Sequence, residues 1–145
     1  MKLPTVRRFT SIKRARGMTL VEALVALVVL SVGLLGIAAM QMTALRNNLG
    51  AHLRSQATVM AYDIADRMRA NRTAANGNAY VVGFGAAPGG ATLAAIDLVA
   101  WKNTLTATLP SGDGQIQRVG NLFRVTITWY EQNGGTQTFT THTQI

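Results

Sequence analysis

Three residues near the start of the chain carry the most specific chemistry in the sequence: Gly17, Met18 and Glu22. Gly17 has no side chain, so a peptidase can reach the backbone at the bond that follows it. Cutting there would give Met18 a new α-amino group, a cation about one helical turn from Glu22. Glu22 is the only ionisable residue from Met18 to Leu45, and a charge entering a bilayer costs several kcal/mol unless it is paired. The residues alone leave two readings open. Glu22 neutralises an amino terminus, within one chain or between neighbours, or it is an interfacial acid reaching water at the end of a membrane anchor.

Other candidate groups are sparse. His52 falls on a helical stretch and His142 on a terminal strand, and neither belongs to a Ser-His-Asp set or a cluster with metal-ligand spacing. Asp97 reads as a helix N-cap and Asp113 as a turn residue, so they form no acid/base pair. The fragment Gly83-Phe84-Gly85 lacks the Lys-Ser/Thr of a phosphate-binding loop. With no cysteine in the chain, disulfides, thiolate metal sites and a cysteine nucleophile are excluded. No enzyme, metal or cofactor is expected.

The element that must position Glu22 is a helix. Residues 23–40 are eighteen positions without a formal charge, and only Ser31 among them is conventionally polar. That run is about long enough to cross a hydrocarbon core of ~30 Å. Six basic residues and no acid precede Gly17, namely Lys2, Arg7, Arg8, Lys13, Arg14 and Arg16. Without them the formal charge falls from +8 to +2. Basic residues just before an apolar span set orientation in a membrane, so the charge marks topology and no nucleic-acid partner is expected. A secretory signal is cut after its apolar stretch; here the glycine comes first, so the apolar helix would stay on the mature chain.

Helix formers without proline continue through residues 18–70. This is one helix of roughly 50 residues, about 80 Å long. Gly33 and Gly36 are its weak points, costing about 1 kcal/mol each against alanine, and they suit close helix packing in a membrane. Beyond Met40, Leu45, Leu49, Leu53, Ala57, Met60, Ile64 and Met68 share one stripe, predicted to face a core. Asp63 and Arg67 are spaced for a helix ion pair.

Residues 71–90 read as a loop rich in Gly, Ala and Asn, with a short extended piece at residues 80–82. A short helix capped by Asp97 would bury Leu98, Trp101 and Leu105 and stop before Pro110. Strands follow at residues 115–119 and 122–130, joined by Gly120-Asn121, and at residues 136–143 after Asn133-Gly134-Gly135. In the second strand Phe123, Val125, Ile127 and Trp129 lie on one face. The expected architecture is α+β, a long helix laid on a small antiparallel sheet of three or four strands.

Gly17-Met18-Thr19-Leu20-Val21-Glu22 followed by the apolar run resembles the prepilin signature of type IV pilins and type II secretion pseudopilins. The resemblance implies leader removal after Gly17 on the cytoplasmic face of the inner membrane. It implies that the same prepilin peptidase methylates Met18, and that Glu22 guides docking by neutralising a neighbour's N-terminus. It extends to minor pilins of the PilV type, also called type IV pilus modification proteins. Residues 24–36, 63–71, Trp101, Leu109-Pro110 and 125–129 carry that similarity, which is dense only over residues 17–71. Met18 stands where the family usually has Phe. The lack of cysteine departs from major pilins, which often close a C-terminal loop with a disulfide, and fits a minor subunit.

The implied organisation is a cleaved leader at 1–17, a transmembrane and assembly half at 18–44, and a periplasmic head at 45–145. Implied partners are other major and minor pilins, prepilin peptidase, the inner membrane and the pilus assembly machinery, with roles in adhesion or twitching motility. A type II secretion pseudopilin uses the same leader and helix. A single-span anchor bearing a periplasmic binding module, with no filament, is the reading from a different class.

Overall fold

A computed structural model describes residues 17–132 and 134–145. The leader at 1–16 and the turn residue Asn133 lie outside the described residues. The elements are helices α1 (Leu20–Ala70), α2 (Arg72–Asn76) and α3 (Leu93–Thr108), then strands β1 (Asp113–Val119), β2 (Leu122–Glu131) and β3 (Gly135–Thr143). The three strands form one antiparallel sheet in the order β1-β2-β3. This is the α+β arrangement expected, with a long N-terminal helix and a small sheet. Contacts divide the chain into two units, one ending at Thr43 and one spanning Ala44–Ile145.

Residues 20–43 of the first unit are helix with their apolar side chains exposed. Leu24, Val28, Leu35 and Ile37 are each more than half accessible. Among the described residues, α1 is the one helix long and apolar enough to cross a membrane. Its few hydroxyls are already satisfied: Ser31 Oγ donates to Leu27 O at 2.7 Å and Thr43 Oγ1 to Ala39 O at 3.0 Å. Both hydroxyls of the helical stretch 20–43 are thus paired within the helix and need no partner from an apolar medium.

The second unit holds the core. Ala57, Met60, Ala61, Ile64 and Met68 of α1 meet Leu98, Trp101 and Leu105 of α3 and Phe123, Val125, Ile127 and Trp129 of β2. The period of about four on the helix and of two on the strand puts each set on one face. Trp101, 1% exposed, donates its indole N–H to Met60 O at 3.0 Å, which ties α3 to α1. Val119 pairs with Leu122 around Gly120-Asn121, and Gly120 at φ 63° supplies the left-handed backbone that this tight turn needs.

Several expectations change. The buried stripe of α1 begins at half-buried Leu53; Leu45 (62%) and Leu49 (59%) are exposed. They have the right period but lie before the part of the helix that the sheet and α3 cover. Asp97 is not a cap: α3 starts at Leu93 and Thr92 caps it, its Oγ1 accepting from Ala95 N at 3.2 Å. Asp113 is not a turn residue but opens β1. The 71–90 segment contains the single-turn α2, and Val82 forms a two-way backbone bridge with Ile116 at 3.0 and 2.9 Å. The stop before Pro110 is as expected, with Leu109 extended at φ −108°, ψ 133°.

Candidate functional site

At the start of α1, Gly17, Met18 and Thr19 precede the first helical residue and are exposed. Thr19 is the cap. Its hydroxyl accepts from the Glu22 backbone N–H at 3.2 Å, and its carbonyl accepts from Ala23 N at 3.1 Å. Thr19-x-x-Glu22 is the capping-box spacing. Thr19 is a site residue beyond Gly17, Met18 and Glu22, and its signal in the sequence is that spacing just before an apolar run. The cap fixes where the helix begins, and so places Glu22 in its first turn, where the positive end of the helix dipole favours a carboxylate.

The Glu22 side chain is exposed, and none of the ion pairs among the described residues involves it. The acid at the head of the apolar helix is thus available to a cation. Among the described residues, a β-carbon on Gly17 would meet nothing within 4 Å, and the same holds at Gly33 and Gly36. No packing among the described residues calls for glycine at 33 or 36.

Two of the remaining acids, Asp97 and Asp113, anchor structural clasps. Asp97, buried within α3, accepts from Tyr80 Oη at 2.6 Å and from Arg67 at 3.2 Å. Arg67 also donates to Asp63 at 3.0 Å, which is the predicted helix pair. Burial first, and then its hydrogen bond to Asp97, push the Tyr80 hydroxyl above the usual tyrosine range. The hydrogen bond to Asp63 is the main reason the Arg67 guanidinium is raised further. A second clasp joins Lys102 to Asp113 at 2.9 Å and to Gly83 O at 2.8 Å. Gly85 N and Gly114 N also donate to Asp113, at 2.6 and 2.7 Å. Burial alone would raise the Asp113 carboxyl; the three donors outweigh it and hold the group below its ordinary value.

These clasps fasten the 77–90 segment to α1, α3 and β1, and among the described residues no pair of acids is left facing a shared reactive position. His52 is exposed on α1, and His142 Nε2 accepts from Arg124 Nε at 3.1 Å on the sheet surface. Among the described residues no group of three His, Cys, Asp or Glu could hold a metal ion.

Residues 12–38 match the family model described as the prokaryotic N-terminal methylation motif. No curated protein and no solved structure matches the chain. The match takes in Gly17, Met18, Thr19 and Glu22 together with Gly33 and Gly36, and no residue of the second unit. It supports a type IV pilin-like or pseudopilin protein processed by prepilin peptidase. Such a family is structural, not enzymatic. The motif and the apolar helix are consistent with membrane anchoring and assembly with other pilins.

Proposed function

We propose that the chain is a minor pilin of the type IV pilus, of the PilV type. The observation that carries this is the methylation-motif match running across the Gly17–Met18 bond and Glu22 into an apolar helix whose side chains are exposed. Prepilin peptidase removes the leader after Gly17 and methylates Met18. The mature chain then waits in the inner membrane as a single span, with residues 45–145 as a periplasmic head.

Assembly is an exchange of surroundings. The 18–44 half trades lipid for neighbouring pilin helices, so apolar burial changes little and close packing decides the outcome. Gly33 and Gly36 allow backbones to approach there, which agrees with the empty space around both. Glu22 gains the α-ammonium of a neighbour's first residue. Such a pair strengthens in a low-dielectric bundle, and it offsets the cost of placing either charge there alone. The absence of cysteine fits a minor subunit better than a major one. The protein then acts in pilus assembly or modification and supports adhesion or twitching motility.

The test is recovery from filaments. Pili sheared from cells and washed free of membrane are expected to contain this chain at well under one copy per major subunit. Its absence from clean filaments, with the chain still abundant in the inner membrane, would leave the anchor-and-module reading standing instead.

A further inference from the structure

Three charged groups in the second unit take no part in the clasps or in the assembly site. Arg46, Gly50 and Arg54 recur every four residues on one face of α1. Glu131, the last residue of β2, lies over Gly50: a β-carbon placed there would sit 3.3 Å from Glu131 Oε2. The glycine is what lets the carboxylate come so close to the helix. Trp129 Nε1 donates to Glu131 Oε1 at 2.9 Å, and Arg54 donates to Gln137 Oε1 at 3.3 Å. Two of the three charges are thus held in place by a neighbour.

Arg46, Arg54 and Glu131 line an open cavity of about 490 Å³ together with Asn47, Gly50 and Ala51. Neither arginine forms an ion pair with Glu131; the pairs among the described residues are Arg67–Asp63, Arg67–Asp97, Arg69–Asp66 and Lys102–Asp113. Opposite charges share one concavity and do not close on each other. A simple anion placed there meets the Glu131 carboxylate, and a simple cation meets the guanidinium groups. A ligand carrying both signs satisfies both.

We propose that this cavity binds the zwitterionic phosphoethanolamine headgroup of a membrane lipid. Its phosphate lies between the guanidinium groups, which suit phosphate oxygens as paired donors. Its ammonium donates to Glu131 Oε2, which accepts no hydrogen bond among the described residues. A choline headgroup has no N–H to donate, and a glycerol headgroup has no cation, so the carboxylate discriminates against both. The lipid source rests on the membrane reading of α1: Arg46 follows Thr43, the end of the apolar unit, by three residues.

The experiment uses the full chain in detergent micelles and follows the Trp129 indole N–H by NMR, because that proton is bonded to Glu131. The Trp101 indole, bonded to Met60 O in the core, is the internal control. Dihexanoyl phosphatidylethanolamine is expected to shift the Trp129 signal saturably, with half-saturation about fivefold below the matched choline and glycerol lipids, as befits one exposed ion pair. Glu131→Gln, which keeps the indole's acceptor, is expected to erase that preference. Arg46→Gln is expected to weaken the response to all three lipids.

Equal responses to the three lipids in the native chain would overturn the proposal, as would a preference that survives Glu131→Gln. Free O-phosphoethanolamine binding as tightly as the lipid would overturn the lipid source. The outcome is independent of cleavage after Gly17. Loss of headgroup selectivity leaves the pilin reading intact, and a chain found uncut in its native cells overturns that reading without touching the headgroup selectivity.

Discussion

Glu22→Ala removes the chain from sheared pili and leaves its amount in the inner membrane unchanged. The substitution takes away the one acid of the apolar segment, so the neighbour's amino terminus enters the bundle without a partner. Breaking a buried pair at one end costs about 3–5 kcal/mol, which corresponds to a fall in incorporation of at least about a hundredfold. The helix itself should survive. Thr19 caps it through the Glu22 backbone N–H, which alanine also has. Glu22→Asp, which keeps the charge on a shorter arm, is expected to restore part of the incorporation. Quantitative immunoblots of sheared and membrane fractions check this, and wild-type incorporation of the alanine variant would sink the docking role.

Gly114→Val unfolds the head far more readily than its size suggests. A β-carbon at Gly114 would collide with the Cη2 edge of the Trp101 ring and lie 2.7 Å from Leu105 Cδ1. Trp101 cannot step aside, because it is buried on all sides and its indole is bonded to Met60 O. Overpacking against such a fixed ring costs up to about 3 kcal/mol, which lowers the Tm by roughly 10 °C or more for a domain of this size. Gly89→Val is the control, since a β-carbon there meets nothing within 4 Å. Thermal unfolding of the full chain in detergent, followed by tryptophan fluorescence, separates the two. Equal Tm values for both variants would contradict the packing described for α3 and β1.

The sequence made the period of each element readable, and hid how far its neighbours reach. Phe123, Val125, Ile127 and Trp129 alternate along β2, and all four are buried as their spacing demands. Leu45 and Leu49 obey the same helical period as Ala57 and Ile64 and are nevertheless exposed. Periodicity tells which residues share a face; it does not tell where the covering sheet ends.

Asp97 departs from its expected place for a related reason. An acid ahead of Leu98 and Trp101 looks like a cap. What makes it tolerable inside α3 is Tyr80 and Arg67, 17 and 30 residues away, and nothing local announces them. Thr92 and Thr19 were within reach, because a hydroxyl three residues before the N–H it accepts from is a local signal. The Val82–Ile116 bridge was not, since it depends on how a glycine-rich segment folds back onto β1.

The candidate site was more legible than the fold around it. Its chemistry lies in consecutive residues, where spacing along one helix already sets geometry. The exposed apolar half of α1, read alone, fits any single-span protein. The position of Gly17 ahead of that half, with Glu22 one turn in, is what favours the proposed assembly subunit over a plain anchor.

Mass spectrometry of the N-terminal peptide, from the chain purified out of its native cells, tests that distinction most directly. The peptide is predicted to begin at Met18 and to carry the added mass of one methyl group on its α-amine. A chain that begins at Met1, is cut anywhere other than after Gly17, or starts at Met18 without the methyl group would contradict the account.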